Sequence, residues 1–346
     1  MTRRILEWTT GRPATVMIIA LLIAGLGIWS FVNLQIDVIP DITGVQVQIN
    51  TTVPALAPEE IERLVTLPIE RSMGGQPGLR EMRSLTKTGL SQVTLIYQDG
   101  TDQLRARQFV NERLSAVRDM LPAGSSPRLA PITTGLGEIW YYTLEWAQPP
   151  SDLDERQQLM ELFEAQEYIV RPMLRAIEGV ADVNSNGGLE RQFVIEPDLK
   201  KLTTAGITPS ELAQAVGANV ANAGGGTITK NGQRFTVRTE ARVTTAEMIR
   251  ALPVKFAGGV RPLTVADLAT VTIGHAPRDG AATTNGKETV LGTVMMLVGQ
   301  NSRDVARRVD AQLPNLRAAL PKGMILQVQY DRSELVDRTI ATVERN

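Results

Sequence analysis

The sequence predicts an α+β chain: one apolar helix, then two copies of a β-α-β-β-α-β unit, the second interrupted by an insert. Three observations predict it. Pro13 to Ile36 carries no charged residue. Two segments beginning at Gly100 and Gly299 repeat in register. Residues 186–278 have no counterpart in the first copy.

As a helix, 13–36 would reach about 36 Å, enough to cross a hydrocarbon core of about 30 Å with some tilt. A secretory signal is the competing reading, but the apolar run is longer than such signals use and no small-x-small cleavage site follows it. Arg3, Arg4 and Arg12 precede the run, while Asp37 and Asp41 follow it. The positive-inside rule therefore puts residues 1–12 in the cytoplasm and the bulk of the chain across the membrane, in the periplasm of a Gram-negative cell. Val290–Val298 is too short to span and reads as a buried strand.

In the repeat, Gly100, Val110, Leu114, Arg118, Leu121, Pro122 and Gly124 match Gly299, Val309, Leu313, Arg317, Leu320, Pro321 and Gly323, always 199 positions apart. Each copy reads as strand (92–97; 291–297), Gly-marked turn, amphipathic helix, an LPxG stop and a further strand. Upstream, 45–53 alternates as a strand, and 58–73 is a helix opened by Pro58 with Glu59, Glu60 and Glu62 in its first turns. The strand 78–85 follows. Their equivalents are 139–146, 152–176 and 179–185. Both units thus take the split βαβ, or ferredoxin-like, order. Within the insert, 192–196 reads as a strand and 209–218 as a helix. Residues 222–234, with Asn231-Gly232 as turn, read as a long hairpin. Helix 244–252 and the strand-rich stretch 260–273 complete it. The hairpin is either a docking arm or a plain surface loop.

Composition excludes several functions. Lys+Arg 36 against Asp+Glu 37 gives a net charge of −1, without the basic excess that nucleic acid requires. Cys is 0 and His is 1, which removes disulfides, thiolate metal sites and most zinc-enzyme or Ser-His-Asp schemes. Gly224–Gly226 lacks the GK[ST] ending of a phosphate loop.

At Ile36-Asp-Val-Ile-Pro-Asp-Ile-Thr43, Val45-Gln-Val-Gln-Ile-Asn50, Gly89-Leu-Ser-Gln-Val-Thr94, Asp99-Gly-Thr-Asp102, Thr134-Gly-Leu-Gly-Glu-Ile139 and Tyr330-Asp-Arg-Ser-Glu-Leu-Val-Asp337, the chain resembles the N-terminal part of a resistance–nodulation–division efflux transporter. The likeness is to the heavy-metal branch, nearest its cobalt-zinc-cadmium members. It implies a secondary active transporter component, not an enzyme, in the bacterial inner membrane. The implied layout is a first porter subdomain at 37–132 and a second at 133–185 and 279–332. A docking insert occupies 186–278, and 333–346 leads toward a second membrane helix. The family further implies a homotrimer joined through the 222–234 hairpin, a periplasmic adaptor, an outer-membrane channel and proton-driven export. Since that second helix would come after Asn346, this chain alone is expected not to pump.

The resemblance points to Glu138 as a lining residue of a periplasmic metal path. A carboxylate suits Zn²⁺, Co²⁺, Cd²⁺ or Ni²⁺ as transported cargo, with no tightly bound cofactor. One carboxylate cannot hold zinc, so further ligands must come from elsewhere; the plainer reading is a solvated strand-end Glu. The 11 methionines would favour copper or silver, but they are scattered, and the adjacent Met295 and Met296 point to opposite faces of a strand. They read as core filling. His275 reads as an exposed loop residue. Glu112 with Arg113, and Arg303 with Asp304, read as solvated helix surface. Drug efflux would want an aromatic cleft, which 4% aromatics disfavours. A single-span assembly protein is the alternative of another class.

Overall fold

The structure, a computed structural model, describes residues 13–32, 43–53, 56–133, 136–220, 224–230, 233–238, 243–255, 262–278 and 280–345. Helix α1 (Pro13–Val32) is the one described helix long and apolar enough to cross a membrane. It is apolar on every side, and Leu21, Ile23, Leu26 and Trp29 are all exposed. A helix in water would bury one face, so uniform exposure suits a lipid solvent. Positions 33–36, the flanking arginines and Asp37 and Asp41 lie outside the described residues.

The first unit runs β1 (Gln46–Thr52), α2 (58–73), β2 (Leu79–Lys87), β3 (Leu90–Tyr97), α3 (Gln103–Arg118), β4 (Ser126–Leu129). Its sheet has the order β2-β3-β1-β4, antiparallel throughout. The second unit runs β5 (Glu138–Trp146), α4 (155–175), β6 (Val180–Gly187), then β14 (Lys287–Met296), α9 (Ser302–Ala311), α10 (Leu313–Ala319) and β15 (Met324–Asp331). Its order, β6-β14-β5-β15, is the same arrangement, with a short β13 (Ala282–Thr284) added on β14. Alternation in β1 sends Val47, Ile49 and Thr51 inward and leaves Gln46, Gln48 and Asn50 half-buried on the other face.

The repeat extends to the caps. Asp102 accepts from the amides of Leu104 and Arg105, and Asn301, 199 positions later, accepts from those of Arg303 and Asp304. Before each cap sits a glycine with positive φ, Gly100 at 82° and Gly299 at 81°, where a side chain would be strained. Helices α2 and α4 share a further device. Helix α2 is Pro58–Ile61, a π-helical turn at Glu62–Thr66 and Leu67–Met73; α4 is Glu155–Ala165, a π turn at Gln166–Val170 and Arg171–Arg175. Pro68 and Pro172 lack the N–H that would continue the α ladder. The preceding residues, Leu67 and Arg171, instead donate five back, to the carbonyls of Glu62 and Gln166.

The insert holds β7 (Arg191–Pro197), α5 (Leu199–Ala205), α6 (Pro209–Val220), the antiparallel hairpin β8 (Gly224–Lys230) and β9 (Gln233–Arg238), α7 (Ala246–Arg250), β10 (Pro253–Lys255), β11 (Leu263–Thr264), α8 (Val265–Leu268) and β12 (Ala269–His275). The hairpin strands are as expected, while its Asn231-Gly232 turn lies outside the described residues. Helix α5 is new: Asp198 caps it and Gly206 ends it in the left-handed region. The stretch expected to be strand-rich contains a helical turn at α8 as well. Three separate apolar clusters hold the chain, centred on Ile49, Val65 and Val93; on Trp140, Val183 and Val294; and on Leu202, Leu212 and Val271.

The final helix, α11 (Arg332–Arg345), is clamped to α9: Asp337 pairs with Arg303 at 2.5 Å and Arg307 at 2.9 Å. Arg303 is therefore a bridging residue, not plain surface, because α11 returns across α9. Similarly Arg113 donates to the carbonyls of Ser72 and Gly74 and caps α2, whereas Glu112 takes only an exposed bond from Gln108. Burial alone would raise the Asp337 pKa, but hydrogen bonds from Arg307 and Arg303 hold it below the ordinary aspartate value. A depressed folded pKa means that the clamp is fully present above that ordinary value and is lost as pH falls through the lowered one. Asp337→Asn should accordingly speed α11 amide exchange at neutral pH, and the difference from the parent should vanish in acid. An equal effect at both pH values would refute the clamp.

Candidate functional site

Glu138 opens β5 on the face of the second sheet that the helices leave uncovered. Its carboxylate Oε2 accepts from the Tyr141 hydroxyl at 2.6 Å. Burial, followed by that bond to Glu138, pushes the Tyr141 phenol up to about 12, so it stays a donor at neutral pH. Tyr141 also packs on Tyr330 of β15, with ring centroids 5.2 Å apart. Gly137, directly before Glu138, accepts the Met296 amide through its carbonyl at 2.7 Å, which fixes the strand start.

The sheet register brings two further groups into line with Glu138. Met295 of β14 stands opposite Glu138 on one side and opposite Asp182 of β6 on the other. A bulge at Val294/Met295 sets this register. Carboxylate, thioether and carboxylate thus form one row across three strands, with the outer backbones about 10 Å apart. Asn184 donates to the Met295 sulfur at 3.5 Å. Asp182 is paired with Arg171 at 3.4 Å and Arg175 at 3.3 Å, and it accepts the Val183 amide at 2.8 Å. Both carboxylates hold partners that a cation would have to displace, which suits transient contact better than tight retention. Among the described residues, no group of three or more His, Cys, Asp or Glu is poised for a metal.

Other expectations fare differently. His275 is not an exposed loop residue: it ends β12, is half-buried, and its Nδ1 lies 2.8 Å from the Ala276 carbonyl. Pairing of β12 with Arg191 of β7 draws it into the sheet. Met295 and Met296 are both buried, and only Met296 joins the main apolar cluster, in line with opposite faces; core filling holds for Met73, Met160 and Met296 but not for Met120 and Met248, which are exposed. Gly224 to Gly226 begins β8 and makes no phosphate loop. A cavity of about 570 Å³, lined by Ser185, Asn186, Glu190, Arg278, Thr283 and Thr289 among others, opens where the second unit meets the insert. Sequence reasoning missed Asp182, Tyr141 and Arg332. The Tyr330-Asp331-Arg332 motif was the available signal for the last.

Residues 5–346 match the family described as AcrB/AcrD/AcrF. It is 43% identical, over all of its length, to the cation efflux system protein CzcA of Alcaligenes sp. (strain CT14). It is 42% identical to the cobalt-zinc-cadmium resistance protein CzcA of Cupriavidus metallidurans. In both cases it covers 32% of the relative, so the chain spans about a third of the length of the curated relatives it matches. A crystal structure of a heavy metal efflux pump superposes with a TM-score of 0.83 at 33% identity, over 97% of this chain and 33% of that one.

Proposed function

Since this chain belongs to the AcrB/AcrD/AcrF family of resistance–nodulation–division transporters, in its heavy-metal efflux branch, we propose that it is the N-terminal periplasmic module of a pump exporting a divalent cation such as Zn²⁺, Co²⁺, Cd²⁺ or Ni²⁺. In this reading α1 anchors the module in the inner membrane, with residues 1–12 cytoplasmic. Residues 37–132 and the pair 133–185 and 279–332 are ferredoxin-like porter subdomains, and 186–278 is a docking insert. The duplicated strand order supports the first assignment, and a separate apolar cluster in the insert supports the second. The hairpin at 222–234 would reach a second copy in a homotrimer. A periplasmic adaptor and an outer-membrane channel would complete the path, with proton influx as the driving force.

The observation that carries the cargo assignment is the Glu138–Met295–Asp182 row. Two carboxylates on an open sheet face offer oxygen ligands to a borderline divalent ion and hand it from one to the other. Their existing bonds to Tyr141, Arg171 and Arg175 keep either site from trapping the ion. A single central thioether gives little preference for Cu(I), which favours a set of soft ligands. Glu138→Ala in the full-length pump should weaken Zn²⁺ binding, measured by calorimetry, by about tenfold or more, the loss expected when one metal ligand or its support is removed. Unchanged affinity in that variant would remove Glu138 from the path.

A further inference from the structure

Two motifs that stand far apart in the chain meet at the Glu138 site. Arg332 is the first residue of α11 and only 5% exposed. Its Nη1 donates to the Leu136 carbonyl at 2.5 Å, across 196 residues of sequence. Two positions earlier, Tyr330 packs its ring on Tyr141, whose hydroxyl holds the Glu138 carboxylate. One short junction between β15 and α11 therefore grips Glu138 twice, through the backbone before it and through the side chain that bonds it. The junction is itself fixed. Asp331 accepts the Ser333 amide at 2.7 Å, and Val336 is fully buried one turn into α11. Asp337 ties the same helix to α9.

We propose that Arg332 is a positioning residue for Glu138, making the direction from which its carboxylate meets a cation follow the position of α11. This rests on the metal-path reading of Glu138 but makes a separate claim about how that residue is held. The guanidinium suits the task because it donates from a rigid plane while its charge stays fixed at any working pH. Gly137 lies between the gripped carbonyl and Glu138, so the backbone there has no side chain of its own to hold it, and outside contacts must do so. A shift of α11 relative to α9 would pull on Leu136 and on Tyr141 together. The Arg303/Arg307–Asp337 clamp makes the opposite case, in which α11 is still, the resting one.

The test uses the full-length pump in lipid nanodiscs, with Arg332→Gln, Arg332→Lys and Tyr330→Leu. Three quantities are read: amide exchange at Gly137 and Glu138, the tyrosine Raman doublet referred to Tyr141→Phe, and Zn²⁺ affinity by calorimetry. Arg332→Gln should speed exchange at both amides and shift the doublet toward a weaker donor bond. It should lower Zn²⁺ affinity by about tenfold, the usual effect of losing a group that orients a ligand. Arg332→Lys, which keeps a charge and a donor, should recover part of all three, which a purely structural role would not require. Tyr330→Leu should move the doublet with less effect on the Gly137 amide, and it serves if Arg332→Gln fails to fold. Unmoved exchange and an unmoved doublet in folded Arg332→Gln would overturn the positioning role. If instead Glu138→Ala leaves Zn²⁺ binding intact while Arg332→Gln moves exchange and the doublet, the metal path fails and the positioning stands.

Discussion

Alanine at Gly292 should strongly destabilise the second unit. Gly292 stands opposite Tyr142 in the β14–β5 ladder, and a Cβ built there would lie 2.1 Å from the Tyr142 Cζ and 2.4 Å from its hydroxyl. The ring cannot step aside. It is fully buried, its hydroxyl donates to Gln166 at 2.8 Å, and the Trp140 ring packs 5.2 Å away. Overfilling a close-packed core commonly costs 1–3 kcal/mol, and a contact this short with a pinned ring belongs at the upper end, about 3 kcal/mol or more. For a domain of this size that is a fall of roughly 10 °C in the unfolding midpoint. Gly217→Ala is the control: it lies in α6 with nothing within 4 Å of an added Cβ. There the methyl should be neutral or should add up to about 1 kcal/mol through helix propensity. Thermal unfolding followed by near-UV circular dichroism separates the two. A Gly292→Ala chain melting with the parent would show that Tyr142 is not packed as described.

What the residues disclose by themselves divides along the range of the interactions. Strand alternation, the Pro58 helix start, the glycine turns at 100 and 299 and the LPxG stops are local signals, and the elements they mark are present within a few residues. The repeat made the second unit legible through an interruption, because the copy on each side kept its cap, its turn and its stop. Helix α5 escaped because Lys200, Lys201, Thr203 and Thr204 dilute its apolar pattern, although Asp198 was a serviceable cap. Of the candidate site, only Glu138 was legible. Asp182 joins it through a three-strand register with bulges, and Arg332 through a contact across 196 residues. Neither is a spacing that a linear pattern records. His275 was misplaced for the same reason, since the sheet that buries it is made by a partner strand on the far side of the insert.

Gln166→Leu should cost about 2–3 kcal/mol, because it strands a buried hydroxyl without removing it. Gln166 is wholly buried in the π turn of α4. It accepts from Tyr142 and donates to Ser185 at 3.1 Å; Ser185 in turn donates to Glu167, which Arg171 holds at 2.7 Å. Arg171 then reaches Asp182 on the open face. The π turn makes the chain possible: widening the helix by one residue presents Gln166 toward the sheet and Glu167 toward its edge, where a regular α ladder would separate them by a further rotation. Leucine preserves the bulk, so the loss measures polar satisfaction and not a cavity. Tyr142→Phe alone leaves the Gln166 carbonyl oxygen short of a donor and should cost about 1 kcal/mol. The double variant removes both sides of the bond and should be less damaged than the two losses combined, by about 1 kcal/mol of coupling. Denaturant midpoints for the four chains give that number directly. Strict additivity would mean that Tyr142 and Gln166 are neighbours without being partners, and the polar chain from the core to Asp182 would then have no beginning.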